Sequence, residues 1–360
     1  MACKYNFSAG PALLPKAVME KANSEFMNWN NTGMSVMEMS HRGKEFMSIF
    51  RNVESSFRKV FCVPENYKIL FLQGGAITQN FMVPMNIKRD KQASYVVSGY
   101  WSKRSFNDAQ CFSAVNLAAS SEGKDFILAP KYSDWQYDKN DAYVHFCLNE
   151  TIHGVEYFSD PEKIHVPVVA DMSSTILSRK IDVSKYGVIY AGAQKNIGPS
   201  GLTLLIVRDD LIGHASASTP TTFNWQIQSE NDSMINTPTT YSIYIAGLVF
   251  DWILDQGGLE SMEKINIAKS QLLYSYIDDS DFYYNTIDKE NRSRMNIPFR
   301  IINDEITMKF VEEAEAAGLY QLKGHRLVGG LRASLYNAMP IEGVEALLNF
   351  MDDFAQKNKQ

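Results

Sequence analysis

The fold is decided by the run Tyr190-Ala191-Gly192-Ala193-Gln194-Lys195-Asn196-Ile197-Gly198-Pro199-Ser200-Gly201. Apolar stretches lead into this run at 188–190 and out of it at 202–207, and both have the composition of buried strands. Lys195 lies where the two strands meet a turn of small residues, so we expect its amine to be partly removed from water. Desolvation lowers the pKa of a lysine, and a neutral amine attacks carbonyl groups. A structural lysine that reaches water from a turn would show the same pattern.

A second candidate, Asp171, follows the short apolar stretch 166–170. In a parallel α/β sheet, functional side chains lie at the carboxyl ends of the strands. A carboxylate upstream of such a lysine suits pyridoxal phosphate, because the carboxylate keeps the pyridine nitrogen protonated while the lysine binds the aldehyde. An aspartate at a strand end is also often a helix N-cap, so the pair alone does not decide between the two interpretations.

Three further stretches point to the same edge of the predicted sheet. The strand 67–72 is followed by Gly74-Gly75 and a helix, a geometry that offers backbone N–H groups to a phosphate. Trp101 follows the strand 93–97 and could stack on a flat ring, with a core tryptophan as the alternative. Thr151 follows the strand 142–147.

His41 and Arg42 begin a predicted helix for which Ser40 is a plausible N-cap. Backbone amides and the helix dipole favour anions there, although a solvated helix start would look the same. This helix carries an apolar stripe at the spacing of one buried face: Phe46, Ile49, Phe50, Val53, Phe57, Val60 and Phe61.

Bulk properties limit the class of protein. A chain of 360 residues predicts two domains. A net charge of -6 without a long basic run gives no support for nucleic-acid binding. No apolar run reaches membrane-spanning length and the first residues do not resemble a signal peptide, so we expect a cytoplasmic protein without a membrane association. We expect no metal site, and free, mostly packed thiols at Cys3, Cys62, Cys111 and Cys147.

The order of helical and strand patterns predicts the domain organisation. They alternate from about 66 to 215, which indicates a mostly parallel sheet. Before it, a helix is predicted from Pro15 to about Trp29; after it, a loop over 224–240. The pattern then changes to α+β, with a strand at 282–287. We therefore predict a large domain at 16–255 and a small α+β domain at 256–360 that also holds residues 1–15.

Motifs along the whole chain resemble the phosphoserine aminotransferases, a family of the class V aminotransferase group. The matching stretches, in family order, are 6–12, 40–43, 72–75, 99–101, 149–154, 170–174, 190–201, 236–238, 323–326 and 331–334. The resemblance implies the pyridoxal-phosphate-dependent transferase fold type I. This is an α/β fold in which a large cofactor-binding domain, with a mostly parallel sheet flanked by helices, carries a smaller α+β C-terminal domain.

The resemblance also implies roles for individual residues. Lys195 matches the lysine that binds the cofactor covalently, Asp171 the partner of the pyridine nitrogen, and Trp101 the residue that stacks on the ring. The other matches to cofactor contacts are Gly75, Ala76, Ile77, Thr151 and Gln194, together with Asn236 and Thr237, which a partner subunit donates in a homodimer with shared sites. The substrate-binding matches are Arg332 for the α-carboxylate and His41, Arg42, His325 and Arg326 for the phosphate or distal carboxylate. Some family members carry an arginine where this chain has Ile77, so here only a backbone contact to a phosphate, or none, is expected.

The implied activity is a ping-pong transamination between 3-phosphohydroxypyruvate and L-glutamate that gives O-phospho-L-serine and 2-oxoglutarate. This reaction belongs to serine biosynthesis, and the related phosphohydroxythreonine step of pyridoxine biosynthesis stays open. A cysteine desulfurase needs a late reactive cysteine, and no cysteine follows Cys147. The remaining alternatives are another class V aminotransferase and a catalytically silent phosphometabolite-binding protein on the same fold.

Overall fold

The structure, a computed structural model, describes residues 4–112 and 114–359. The helices are α1 Lys16–Glu25, α2 Lys44–Val60, α3 Gln79–Ile87, α4 Tyr100–Ala109, α5 Trp225–Glu230, α6 Thr240–Asp255, α7 Gly258–Asp278, α8 Thr307–Ala316 and α9 Ile341–Asn358. The strands are β1 Tyr5–Asn6, β2 Tyr67–Gln73, β3 Ala93–Val97, β4 Val115–Ser120, β5 Val144–Cys147, β6 Asn149–Glu150, β7 Val155–Glu156, β8 Val168–Asp171, β9 Val188–Gly192, β10 Leu202–Arg208, β11 Tyr283–Tyr284, β12 Asn296–Ile301, β13 Leu319–Tyr320 and β14 Leu331–Ser334.

A seven-stranded sheet with the order β2-β10-β9-β8-β5-β3-β4 forms the centre of the molecule. Strand β10 runs antiparallel to both of its neighbours, β2 and β9. The pairs from β9 through β8, β5 and β3 to β4 are parallel. Every strand except β10 therefore points the same way, and the prediction of a mostly parallel sheet is confirmed.

Helices cover both faces of this sheet because its strands are apolar on both sides. In β2, Ile69 and Phe71 belong to a hydrophobic cluster with residues of α1, α2 and α6. The alternate residues Leu70 and Leu72 belong to a second cluster with residues of α3, α4 and α5. Successive side chains of a strand point to opposite faces, so the two clusters make a three-layered unit.

A third hydrophobic cluster lies in the last part of the chain. It joins residues of α7, α8 and α9 to the antiparallel sheet β11-β12-β14 and includes Phe7 from the N-terminal segment. This cluster supports the predicted division into 16–255 and 256–360 with 1–15, which stays a prediction. Helix α7 takes part in both units, since Leu259 and Met262 pack into the first cluster.

The segment from β1 to Ala12 connects the two parts of the molecule. Strand β1 pairs in parallel with β13, and the Phe7 carbonyl accepts a hydrogen bond from the Ser334 N–H. Further along, the Tyr336 hydroxyl donates to the Ala9 carbonyl at 3.0 Å, and the Ala12 N–H donates to the Gln194 carbonyl at 2.8 Å. The first residues described are thereby bonded both to the C-terminal unit and to the turn that carries Lys195.

Several local predictions differ from the structure. The predicted loop 224–240 contains α5, whose first turn is capped by the Asn224 side chain. The predicted strand 282–287 is reduced to β11, and α1 ends at Glu25 instead of near Trp29. The N-cap of α2 is Gly43 rather than Ser40, whose carbonyl accepts a hydrogen bond from the Gly43 N–H in the preceding turn.

Three expectations concern the cysteines, the possible membrane helices and the possible metal sites of the described residues. Cys62, Cys111 and Cys147 are free thiols, but only Cys147 is buried, so the packing role expected for the other two is wrong. Cys3 lies outside the described residues. Within 4–112 and 114–359, no helix is long and apolar enough to cross a membrane, and no group of three or more metal-binding side chains is found.

The close approach of α2 and α6 gives a stability prediction. A Cβ atom at Gly247 of α6 would lie 2.5 Å from Cγ2 of Val53 on α2. Gly247→Ala should therefore destabilise the protein by about 1–3 kcal/mol through overpacking, although alanine favours a helix over glycine by about 1 kcal/mol. Chemical denaturation measures the change. Gly123→Ala is the matched control, because a Cβ there meets nothing within 4 Å. The prediction is wrong if both variants are equally stable, or if Val53→Ala does not restore part of the loss at Gly247.

Candidate active site

The carboxyl ends of the like-directed strands meet at one edge of the sheet, where they surround a cavity of about 500 Å³. Strand β8 ends at Asp171, and β9 leads into Gln194 and Lys195. Strands β2, β3 and β5 lead into the turn at Gly75, the helix that carries Trp101, and Thr151. All of these residues line the cavity. The strand-end argument thus correctly predicted that Asp171, Lys195, Trp101 and Thr151 lie together.

Lys195 is half-buried in this cavity, and its Nζ donates a hydrogen bond to Oγ1 of Thr151 at 2.9 Å. Burial lowers the pKa of Lys195 to about 8. The Asp171 carboxylate opposes this change and the Arg332 guanidinium reinforces it. The expectation of a partly desolvated lysine with a lowered pKa agrees with the structure, and the neutral amine is much more populated near neutral pH than for a lysine in water.

Asp171 is held at the end of β8 by the backbone that follows it. Its Oδ1 accepts a hydrogen bond from the Ser173 N–H at 2.8 Å. Burial raises the pKa of the Asp171 carboxyl, against the opposing effects of the Ser173 hydrogen bonds and the Lys195 charge. A half-buried carboxylate of this kind is stabilised by a cationic or protonated partner in the cavity.

The turn after β2 and the start of α4 form another wall of the cavity. Gly75 precedes a short 3-10 helix, Ala76–Thr78, which continues into α3. The first N–H groups of such a helix lack intrahelical acceptors and can donate hydrogen bonds to an anion. The Ile77 side chain is 37% exposed and lines the cavity. Trp101, in the first turn of α4, contributes an aromatic surface, and its Nε1 is buried without a hydrogen-bond partner among the described residues.

Arg332 and His325 reach the cavity from the C-terminal unit, and Arg332 brings a positive charge to it. Arg332 lies on β14, and its Nε is buried without a hydrogen-bond partner within the described part of the chain. Burial lowers the pKa of Arg332, and burial together with Arg332 and Arg326 lowers the pKa of His325. An unpaired guanidinium in a half-buried position is typical of a site for a carboxylate.

The remaining sequence-predicted residues do not line this cavity in the single chain. Asn236 and Thr237 are exposed and lie against Gln73, whose Nε2 donates to the Thr237 carbonyl. Arg326 is exposed beside His325. His41 and Arg42 lie immediately before α2, and the Arg42 side chain is exposed. Their predicted roles in binding phosphate or substrate stay predictions.

Other cavity residues were not singled out as site residues from the sequence. They are Ala9, Gly10, Thr78, Asn80, Ser105, Asn149, Ile152, Ser173 and Ser174. The matched motifs were the available signal for six of them: Ala9, Gly10, Asn149, Ile152, Ser173 and Ser174. Asn80 and Ser105 carried no such signal, because they reach the cavity only when α3 and α4 pack together. Both residues are buried, and the Ser105 hydroxyl donates a hydrogen bond to Oδ1 of Asn80 at 2.9 Å.

The chemistry of this cavity fits pyridoxal phosphate. It combines an amine of lowered pKa for the aldehyde, a carboxylate for the ring nitrogen, an aromatic side chain for the ring and a helix start for the phosphate. The buried, unpartnered Arg332 Nε leaves a place for the carboxylate of an amino acid.

Comparison with known proteins agrees with this geometry. The family model for "Aminotransferase class-V" matches residues 4–347. The phosphoserine aminotransferase of Janthinobacterium sp. (strain Marseille) is 54% identical over 357 residues, which cover 98% of each sequence. The solved phosphoserine aminotransferase from Bacillus circulans subsp. alkalophilus is 43% identical, with a TM-score of 0.96 and 99% of each chain covered. The PLP-bound phosphoserine aminotransferase from Trichomonas vaginalis is 38% identical, with a TM-score of 0.93, 97% of this chain covered and 100% of that one.

The charges around Lys195 give a pH prediction. Acetylation by acetic anhydride, followed at the Lys195 peptide by mass spectrometry in the ligand-free protein, should be half-maximal near pH 8, because only the neutral amine reacts. Asp171→Asn removes the charge that raises the Lys195 pKa and should move the midpoint to lower pH, whereas Arg332→Ala should move it to higher pH. Shifts in the same direction for both variants would contradict the assigned electrostatics.

Proposed function

The chain belongs to the class-V aminotransferase family, and from that membership we propose that it is a phosphoserine aminotransferase. It is a pyridoxal-phosphate-dependent transaminase that acts on small molecules. The proposed reaction is the ping-pong exchange of an amino group between L-glutamate and 3-phosphohydroxypyruvate. The observation that carries the proposal is the half-buried Lys195 amine of lowered pKa, which shares one cavity with Asp171, Trp101 and the unpaired Arg332.

In this proposal each residue of the cavity has a defined task. When bound, pyridoxal phosphate supplies an electron-withdrawing ring that stabilises negative charge on the substrate α-carbon. Nζ of Lys195 would hold the aldehyde of the cofactor and, as a free amine, would accept the proton from the substrate α-carbon. The Asp171 carboxylate would hold the ring nitrogen in its protonated form, and the Trp101 ring would offer an aromatic surface to the cofactor ring. Arg332 binds the substrate α-carboxylate as a planar fork.

Gln194, Thr151 and the turn Gly75-Ala76-Ile77 complete the proposed cofactor contacts. The location of Ile77 supports a contact through the backbone N–H of this turn, since its side chain offers no charge to a phosphate. Asn236 and Thr237 are proposed to reach the cofactor phosphate of a second copy of the chain. Their exposure beside Gln73, outside their own chain's cavity, supports a homodimer with shared sites. A cytoplasmic location and participation in serine biosynthesis follow as parts of the same proposal.

Replacement of the lysine tests the proposed function directly. Lys195→Ala should reduce steady transamination between glutamate and 3-phosphohydroxypyruvate to background, because the amine that binds the cofactor and carries the proton is lost. Borohydride reduction of the wild-type holoenzyme should attach the cofactor to Lys195 alone. A variant with near-native rate, or reduction at a different lysine, would contradict the proposal. A silent binding protein would show cofactor attachment in the wild type but no change of its visible absorbance on adding glutamate.

Arg42 and Arg326, the arginines matched to phosphate binding, give a prediction about discrimination between substrates. A substrate phosphate carries roughly -1.5 to -2 charges near neutral pH, whereas the distal carboxylate of glutamate carries one. Arg42→Ala or Arg326→Ala should reduce kcat/KM for phosphoserine more than for glutamate, by roughly 1.5–3 kcal/mol per lost charged hydrogen bond.

Arg332→Ala is the comparison variant for this measurement. It should reduce both half-reactions alike, because both substrates carry the α-carboxylate. Equal losses for the two substrates in the Arg42 and Arg326 variants would show that these arginines do not recognise phosphate. A parallel assay uses the phosphorylated 2-oxo acid that is the precursor of phosphohydroxythreonine. It tests whether the protein also catalyses this step of pyridoxine biosynthesis.

A further inference from the structure

Glu150 is a fully buried carboxyl group for which the proposed reaction has no use. Its side chain is 0% exposed at the end of β6. Burial raises the pKa of this carboxyl, and the removal of a carboxylate from water has a large free-energy cost unless hydrogen bonds compensate for it. A buried acid next to Thr151 in the sequence therefore needs a specific partner.

The partner is the first turn of α4, which carries Trp101. Oε2 of Glu150 accepts a hydrogen bond from the Trp101 N–H at 3.0 Å, and Oε1 accepts from the Ser102 N–H at 2.8 Å. The Ser102 hydroxyl lies 2.5 Å from Oε1 and can donate to it. Both carboxylate oxygens thus satisfy helix amides that have no intrahelical acceptor, and the positive end of the helix dipole favours the ionised form.

The backbone leaves room for this carboxylate because residue 99 is a glycine. A Cβ atom at Gly99, the residue before α4, would lie 2.4 Å from Cδ of Glu150. A helix N-cap normally comes from the residue at the helix start itself, yet here the acceptor is 49 residues away in the sequence. The Ser102 hydroxyl accepts from the Ser98 and Gly99 N–H groups, but Gly99 has no side chain that could accept from the amides of the first turn, so Glu150 takes the place of a local cap.

Glu150 therefore joins two parts of the cavity. On one side it fixes the turn that presents the Trp101 ring. On the other it belongs to the hairpin of β6 and β7, closed by the hydrogen bond from the Gly154 N–H to the Glu150 carbonyl. The next residue of that hairpin, Thr151, accepts the hydrogen bond from Lys195 Nζ.

We propose that Glu150 is a positioning residue of the active site, which holds the Trp101 ring in register with Thr151 and Lys195. This inference rests on the proposed function, since it concerns how Trp101 meets the cofactor ring. In Glu150→Gln the shape is kept, but the amide NH₂ faces an N–H donor in place of one oxygen. Either the Trp101 or the Ser102 amide then loses its acceptor, and the first turn that presents the Trp101 ring loses one of its two fixing bonds.

The test is a double-mutant cycle on the holoenzyme, with release of pyridoxal phosphate during dialysis as the readout. Glu150→Gln should release the cofactor about tenfold faster than the wild type, the effect of losing one charge-assisted hydrogen bond. In a Trp101→Phe background the same substitution should have much less effect, because the group being positioned has been replaced. An undiminished effect in that background, or no effect in either, overturns the proposal.

Glu156→Gln is the matched control. Glu156 is equally buried on the adjacent β7 but accepts hydrogen bonds from Thr175 and Arg294 instead of α4. It should lower thermal stability without any coupling to Trp101, and equal coupling for both acids would overturn the proposal. If Glu150→Gln does not fold, Glu150→Asp is used instead. It keeps the charge but moves the carboxylate oxygens away from the amides of α4, and the same double-mutant cycle with Trp101→Phe applies. A wild type that holds no cofactor at Lys195 would overturn the proposed function itself, which is a distinct outcome.

Discussion

The direction of the strands is the constraint on which the rest of this structure depends. Every strand of the central sheet except β10 points the same way. The residues that follow five of these strands, β2, β3, β5, β8 and β9, therefore meet at one edge of the sheet. The antiparallel β10 lets the chain return directly after Lys195, so the lysine lies on a tight connection instead of a long crossover. Packing on both faces of the sheet holds this edge rigid. Residues distant in sequence thereby act as one site.

The electrostatics of the cavity follow from that convergence. Burial acts in opposite directions on the two central groups, lowering the pKa of Lys195 and raising that of Asp171. Both shifts favour the uncharged forms, and a bound group that carries a positive charge reverses the balance for the carboxylate. Arg332, which arrives from the C-terminal unit, adds a positive charge without an anionic partner in the described structure. The site is therefore prepared for ligands that bring anionic groups.

The sequence was informative wherever a strand end determined the position of a residue. Asp171, Thr151 and Lys195 were predicted from this rule alone, and Arg332 from the resemblance to a family. The helix α5 was missed because its polar composition hides the burial of Trp225, which arises only from tertiary packing. The contribution of Glu150 was missed because a cap supplied from 49 residues away leaves no local pattern. In the proposed homodimer, the positions of Asn236 and Thr237 relative to the cofactor would depend on a second chain, which no single-chain pattern encodes.

The N-terminal segment has a consequence for the order of events during synthesis. The hydroxyl of Tyr336 bonds to the carbonyl of Ala9, 327 residues earlier, and Phe7 is buried only within the C-terminal hydrophobic cluster. Ala9 and Gly10 line the cavity, so one wall of the cavity is bonded to a residue near the end of the chain. Contacts of such long range form slowly. The packing of Phe7 and the bond from Tyr336 therefore form only after the C-terminal unit has been synthesised.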